Sequence, residues 1–156
     1  MAPVELARLR AWTAVPAPRF VGGNRVELLE GGGELFPSMR AAIAAARREV
    51  WLATYIFHDD DTAVGLIDEL CRAAERGVAV HVVIDGFGSN ATLPSIRRRF
   101  GHSGVRLEVF RPLERWWAWL QPGQLRRLHQ KLCVVDQGDA AGPDAPPVAF
   151  VGGINL

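Results

Sequence analysis

Two apolar runs, 50–57 and 78–85, flank a segment punctuated as a helix, and that alternation restricts the chain to an α/β arrangement. V-W-L-A-T-Y-I-F and V-A-V-H-V-V-I-D combine branched and aromatic side chains as buried strands do. Between them Asp59-Asp60-Asp61-Thr62 supplies N-cap residues and Gly77 a C-terminal glycine, predicting a helix over about 62–76. The alternation continues on both sides. Val26 and Leu28 alternate with Arg25 and Glu27, predicting a strand over 24–30. After a Gly31-Gly32-Gly33 turn, Leu35, Met39, Ile43 and Ala46 recur at helical steps over 34–48. A Gly86/Gly88/Ser89 turn, a basic helix near 93–100 and a strand near 105–110 follow. The segment 111–128 is irregular, and the runs 128–136 and 148–156, joined by a Gly/Ala/Pro/Asp-rich loop at 137–147, predict a hairpin. Strands and helices alternating at this length predict a layered α/β domain with a mostly parallel sheet. Residues 1–23 read as a leader, with the domain over 24–156.

The 156 residues suit one domain. The net charge of +1 says nothing by itself about a nucleic-acid or membrane partner, but its distribution is uneven. Residues 26–92 carry 5 basic and 11 acidic side chains, and 93–131 carry 9 and 2, a basic band that would suit a phosphate-bearing substrate. Cys71 and Cys133 lie in apolar patterns and read as core thiols of a reducing compartment. No stretch approaches the ~20 apolar residues of a membrane span, and Glu5, Arg8 and Arg10 interrupt any signal-peptide core. Membrane contact is therefore expected to be peripheral.

The chemistry concentrates in His129-Gln-Lys131-Leu-Cys-Val-Val-Asp136, an H-x-K-x4-D pattern on an apolar strand. Side chains two apart share a strand face, so His129 and Lys131 should project together. A neutral imidazole can attack phosphorus while an ammonium neutralises the phosphoryl oxygens. Lys131 is the only lysine beside 17 arginines, a compact ammonium kept where arginine serves elsewhere. Asp136, of opposite parity, could orient a histidine or offset the lysine charge. Downstream, Gly152-Gly153-Ile-Asn155 offers a close backbone approach and an amide donor for a phosphate.

His129-x-Lys131-x4-Asp136 followed by Gly152-Gly153-x-Asn155 resembles the HKD motif of the phospholipase D superfamily. Asn24-Arg-Val-Glu-Leu-Leu, the 34–48 helix, Tyr55-Ile-Phe, Arg76-Gly77-Val and Val82-Val-Ile-Asp85-Gly-Phe-Gly-Ser89 resemble the N-terminal half of bacterial cardiolipin synthases. The resemblance implies a layered α/β/α phospholipase D-like domain with a mostly parallel or mixed sheet, one lobe of a two-lobed enzyme. It makes His129 the nucleophile of a phosphohistidine intermediate, Lys131, Gly152, Gly153 and Asn155 phosphate-binding, and Asp136 a support for the histidine. It implies no metal and no other cofactor. The 15 residues between Asp136 and Gly152 exceed the usual spacing, the extra length falling in the 137–147 loop.

The family uses a second HKD histidine as general acid, and a chain with one lysine cannot hold a second H-x-K. The second half is expected from C-terminal residues beyond this chain or from a homodimer partner. The implied function is a cardiolipin synthase-like phosphatidyltransferase on a phosphatidylglycerol-like phospholipid, peripheral on the cytoplasmic face of the bacterial inner membrane. A phospholipase D-type nuclease or other phosphodiesterase, with Arg97-Arg98-Arg99 on DNA, is the alternative, and a non-catalytic binding lobe is another. Trp116, Trp117 and Trp119 with Arg111, Arg115, Arg126 and Arg127 suit a lipid headgroup interface, nucleobase stacking or a buried patch against a second half. His58, His81 and His102 read as structural, the Asp59–Asp61 cluster as a helix cap, and Asp85, at a strand end, as a candidate border of the site.

Overall fold

The computed structural model describes residues 22–112, 127–136 and 147–156. Over these, helix α1 (Gly31–Ala45) leads into β1 (Glu49–Thr54), α2 (Asp61–Glu75), β2 (Ala79–Asp85), α3 (Leu93–Phe100) and β3 (Arg106–Phe110). β4 (Leu132–Val135) and β5 (Val148–Val151) complete a five-stranded sheet in the order β3-β2-β1-β4-β5. β1, β2 and β3 run parallel, whereas β4 and β5 join antiparallel, so the sheet is mixed. Val50, Leu52, Val80, Val82, Ile84, Cys133 and Val135 alternate into a core closed by Met39, Ile43, Leu66, Ile67, Leu70 and Ile96. The intervening residues on the other face are exposed or half-buried, among them Trp51, stacked on His81 at 3.9 Å between ring centroids.

The ends of α2 follow from its sequence. Asp60 caps it by accepting the Ala63 N–H at 2.9 Å. At the other end Gly77 takes φ +90°, Gly77 N–H bonds the Ala74 carbonyl, and Val78 N–H bonds that of Ala73. This 6→1 and 5→2 pair satisfies carbonyls that a helix end leaves open. Arg76 then reaches α1, donating to the carbonyls of Ile43 and Ala44.

Three boundaries depart from the sequence reading. The strand expected over 24–30 does not form: Val26 and Leu28 are 92% and 83% exposed, and without a neighbouring strand among the described residues the ladder is left unmade. Helix α1 includes Gly31–Gly33, with Glu34 accepting the Glu30 N–H at 2.7 Å, and it stops at Ala45 instead of 48. It stops early because the N–H groups of Arg47, Arg48 and Glu49 bind the Asp136 carboxylate. The terminal strands are also shorter than 128–136 and 148–156, although β4 and β5 do pair as a hairpin. The expected leader (residues 1–21 of it), most of the 137–147 loop, Trp116, Trp117, Trp119, Arg115 and Arg126 lie outside the described residues. Among the described residues no helix is long and apolar enough to cross a membrane.

Candidate active site

The parallel strands β1 and β2 end at Thr54, with Tyr55 next after it, and at the buried Asp85, and β4, running the other way, starts from the same end of the sheet. Residues 127–131 therefore arrive at the carboxyl ends of parallel strands, where open α/β sheets bind ligands. His129 and Lys131 precede the ladder yet come together as their spacing predicts. Lys131 Nζ lies 3.4 Å from His129 Nε2 and 3.4 Å from the His129 carbonyl oxygen. The Tyr55 ring flanks both, its centroid 5.2 Å from that of the imidazole and 5.6 Å from Nζ. His129 is exposed and Lys131 half-buried, so a solute can reach the pair.

Gly152 and Asn155 tie the C-terminal segment to the same place. The Gly152 N–H donates to the Lys131 carbonyl at 3.3 Å, and the Ile56 N–H donates to Asn155 Oδ1 at 3.3 Å. With its oxygen so used, the Asn155 amide group is left as a donor. Leu156 and the 56–58 segment exchange two further backbone bonds, His58 N–H to Leu156 O and Leu156 N–H to Ile56 O. Among the described residues a Cβ added at Gly152 or Gly153 would meet nothing within 4 Å, and neither glycine has a positive φ. Packing does not require glycine at either position; the space is open.

Asp136 stands at the far end of β4, on the order of 20 Å along the chain from His129 at about 3.3 Å per strand residue. One carboxylate oxygen accepts from Arg47 N at 2.9 Å; the other accepts from Arg48 N at 2.9 Å and Glu49 N at 3.1 Å. Burial pushes this carboxyl up, but those three donors and the Arg47 charge hold it below the usual carboxylate range. Its contacts are with the α1–β1 turn, so any support it lends the histidine runs through β4.

Several residues near the pair were not singled out as site residues from sequence. Asp85, only weighed as a border, is 1% exposed; its Oδ1 accepts Phe87 N and Gly88 N at 2.9 Å, and its Oδ2 accepts Leu128 N at 2.7 Å. Ser89 Oγ accepts Phe57 N at 2.9 Å and donates to the Tyr55 carbonyl at 3.2 Å. Asp85 carried a usable signal, lying at the carboxyl end of a predicted parallel strand, and Tyr55 falls within the last three residues of another. The exposed Phe87 ring lies 4.3 Å from the Arg127 guanidinium, and Arg111, with φ +51°, follows β3 at this edge with its guanidinium 5.2 Å from the Phe110 ring. Elsewhere Arg99, in α3, and Ser95 bind Asp59, His58 is exposed, and burial pushes the Cys133 thiol up to about 12.

Comparison with known proteins shows the family. The family described as cardiolipin synthase, phospholipase D-like domain, matches residues 39–156. Cardiolipin synthase B of Salmonella typhimurium is 34% identical over 133 residues, 85% of this chain and 30% of that protein. Cardiolipin synthase A of Pseudomonas putida is 32% identical over 150 residues, 96% of this chain and 29% of that protein. The chain thus spans about three tenths of the length of these relatives. Among solved structures, the phospholipase D family member Nuc from Salmonella typhimurium superposes with a TM-score of 0.51 at 22% identity, over 69% of this chain and 60% of that one, a likeness of fold. Mixed sheet, paired histidine and lysine at its edge, and matched residues agree: the chain belongs to the phospholipase D-like domain family of the cardiolipin synthases.

Proposed function

We propose that this chain is one lobe of a phosphatidyltransferase that moves a phosphatidyl group between alcohols through a phosphohistidine at His129. The observation that carries the reading is the 3.4 Å approach of Lys131 Nζ to His129 Nε2 at a solvent-open sheet edge. Nε2 attacks the phosphorus of a phospholipid phosphodiester, a P–N bond forms, and the P–O bond to the leaving alcohol breaks. The ammonium beside Nε2 meets the charge that develops on the non-bridging oxygens. The acceptor alcohol then attacks phosphorus, breaks the P–N bond and returns the imidazole to its starting state. The proton that the first leaving alcohol needs comes from a second half of the site, supplied by a longer chain or by a second copy.

The Asn155 amide and the open backbone at Gly152 and Gly153 fit the phosphate-binding role, since neither glycine is required by packing. Asp136 serves the site at a distance, fixing β4 against the α1–β1 turn so that the segment entering β4 is aimed. A lipid substrate is favoured over a nucleic acid by the rim: Phe87 exposes its ring at 49% beneath the Arg127 guanidinium, an apolar and cationic combination suited to a headgroup layer. On this reading contact with the inner membrane is peripheral, at its cytoplasmic face.

The test is phosphatidylglycerol turnover by the natural full-length protein, with and without His129→Ala. Cardiolipin made by the wild type and lost in the variant establishes reaction and nucleophile together. No product from folded protein, with salt-sensitive binding and cleavage of DNA instead, replaces this reading with the nuclease. Neither activity, and no phosphohistidine, leaves a binding lobe.

A further inference from the structure

We infer that Asp85 is a positioning residue for His129, acting through the backbone of Leu128. The inference rests on His129 being the nucleophile and deepens that reading. His129 lies outside the ladder, which begins at Leu132, so strand pairing does not fix the backbone before it. On its C-terminal side the Gly152 N–H holds the Lys131 carbonyl. On its N-terminal side Asp85 is a fixed point, its Oδ2 taking the Leu128 N–H at 2.7 Å across 43 residues of sequence.

The choice of side chain supports the assignment. Asp85 is 1% exposed, and a buried carboxylate is costly unless its oxygens are satisfied. Closing the turn occupies only Oδ1, which accepts Phe87 N and Gly88 N at 2.9 Å. An asparagine oxygen would close that turn equally well. Its NH2, however, would then face the Leu128 N–H, donor against donor. The carboxylate is the group that can accept on both sides at once.

The same turn also fixes the neighbour of the imidazole. Ser89 Oγ bridges Phe57 N and the Tyr55 carbonyl, and a Cβ at Gly88 would collide with that carbonyl oxygen, so the two backbones touch directly. Tyr55 in turn sets its ring 5.2 Å from that of His129. Asp85 and Ser89, four residues apart, thus anchor both segments that border the imidazole. A nucleophile displaced by about 1 Å can lose on the order of 100-fold in rate.

The experiment compares Asp85→Asn with wild type and His129→Ala in the natural full-length protein, following kcat and KM for phosphatidylglycerol, phosphohistidine formation in a single turnover, and hydrogen exchange at the Leu128 amide. Folded Asp85→Asn is expected to lose about 100-fold in kcat and in phosphohistidine formation, with KM nearly unchanged and the Leu128 amide exchanging faster. Wild-type kcat in the folded variant overturns the inference, as does a loss expressed mainly in KM or one matched by the unfolded fraction. Should Asp85→Asn not fold, Leu128→Pro removes the same donor from the other partner; it is expected to lower kcat in the same way, and normal kcat there is equally fatal. Activity that survives His129→Ala defeats the parent reading instead and is distinguishable from all of these.

Discussion

Asp136 and Glu49 hold each other twice. The Asp136 N–H donates to the Glu49 carbonyl at 2.9 Å, and the Glu49 N–H donates to the Asp136 carboxylate at 3.1 Å. With Arg47 and Arg48 on the same carboxylate, one side chain ends α1, starts β1 and fixes the register of β4. The motif is therefore bifunctional along its length: its first residues face the solvent edge, and its last ties the sheet to a helix.

Removing that side chain should cost stability first. Asp136→Ala leaves three N–H groups without their acceptor, and a buried donor without a partner costs roughly 1–3 kcal/mol. Some of the three will find water, so a total loss of about 2–4 kcal/mol is expected. Urea unfolding of the two proteins measures it. A loss within experimental error would mean that the turn is held by something else. Asp136→Ala that remains folded should still form phosphohistidine, whereas His129→Ala should not.

The same contacts set a pH dependence. The folded carboxyl of Asp136 is held below its ordinary value of 3.8, so folding favours the charged form. A group depressed in this way stabilises the fold above the unfolded value, and that stabilisation disappears as pH falls through the folded one. The stability gap between wild type and Asp136→Asn should be constant from neutral pH down to about 5 and should narrow below about 4. Thermal unfolding of both proteins across that range would reveal it; a gap that widens on acidification contradicts the assignment.

Much of this was legible in the chain because it rests on local chemistry. The Asp60 cap, the Gly77 stop, the limits of α3 and the proximity of His129 to Lys131 each follow from residues close in sequence. What was not legible depends on partners far away. Val26 and Leu28 carry a strand's alternation, but among the described residues no neighbouring strand pairs with them. The end of α1 is dictated by a carboxylate 89 residues from Arg47, and the roles of Asp85 and Asp136 both lie in backbone amides that no side-chain pattern announces. Parity gave Asp136 the opposite face from Lys131; only the antiparallel pairing of β1 and β4 says what waits there.

Lys131 should not be replaceable by arginine. Its Nζ approaches His129 Nε2 at 3.4 Å while resting 5.6 Å from the Tyr55 ring centroid, a position reached by a compact ammonium. A guanidinium is planar and broader, and would displace the imidazole or the tyrosine. Both Lys131→Arg and Lys131→Ala are expected to lower kcat by about 100-fold or more, the scale of losing one transition-state donor. The charge-conserving variant tells the two requirements apart: near-normal turnover by Lys131→Arg would show that charge alone suffices.

Gly152 separates a packing role from a binding one. A methyl group placed there meets no atom of the described residues within 4 Å and φ is not positive, so Gly152→Ala should fold with its stability changed by less than about 1 kcal/mol, in the direction of a gain. If the open space at Gly152 is where a phosphodiester approaches the backbone, the methyl group occupies it. Gly152→Ala is then expected to raise KM several-fold in the full-length protein while the unfolding midpoint stays put. Gly33, whose added Cβ likewise meets nothing within 4 Å and which lies in α1, supplies the control: Gly33→Ala should leave KM alone. Equal KM values for the two alanine variants would remove Gly152 from the binding surface and leave the Asn155 amide and Lys131 to hold the phosphate.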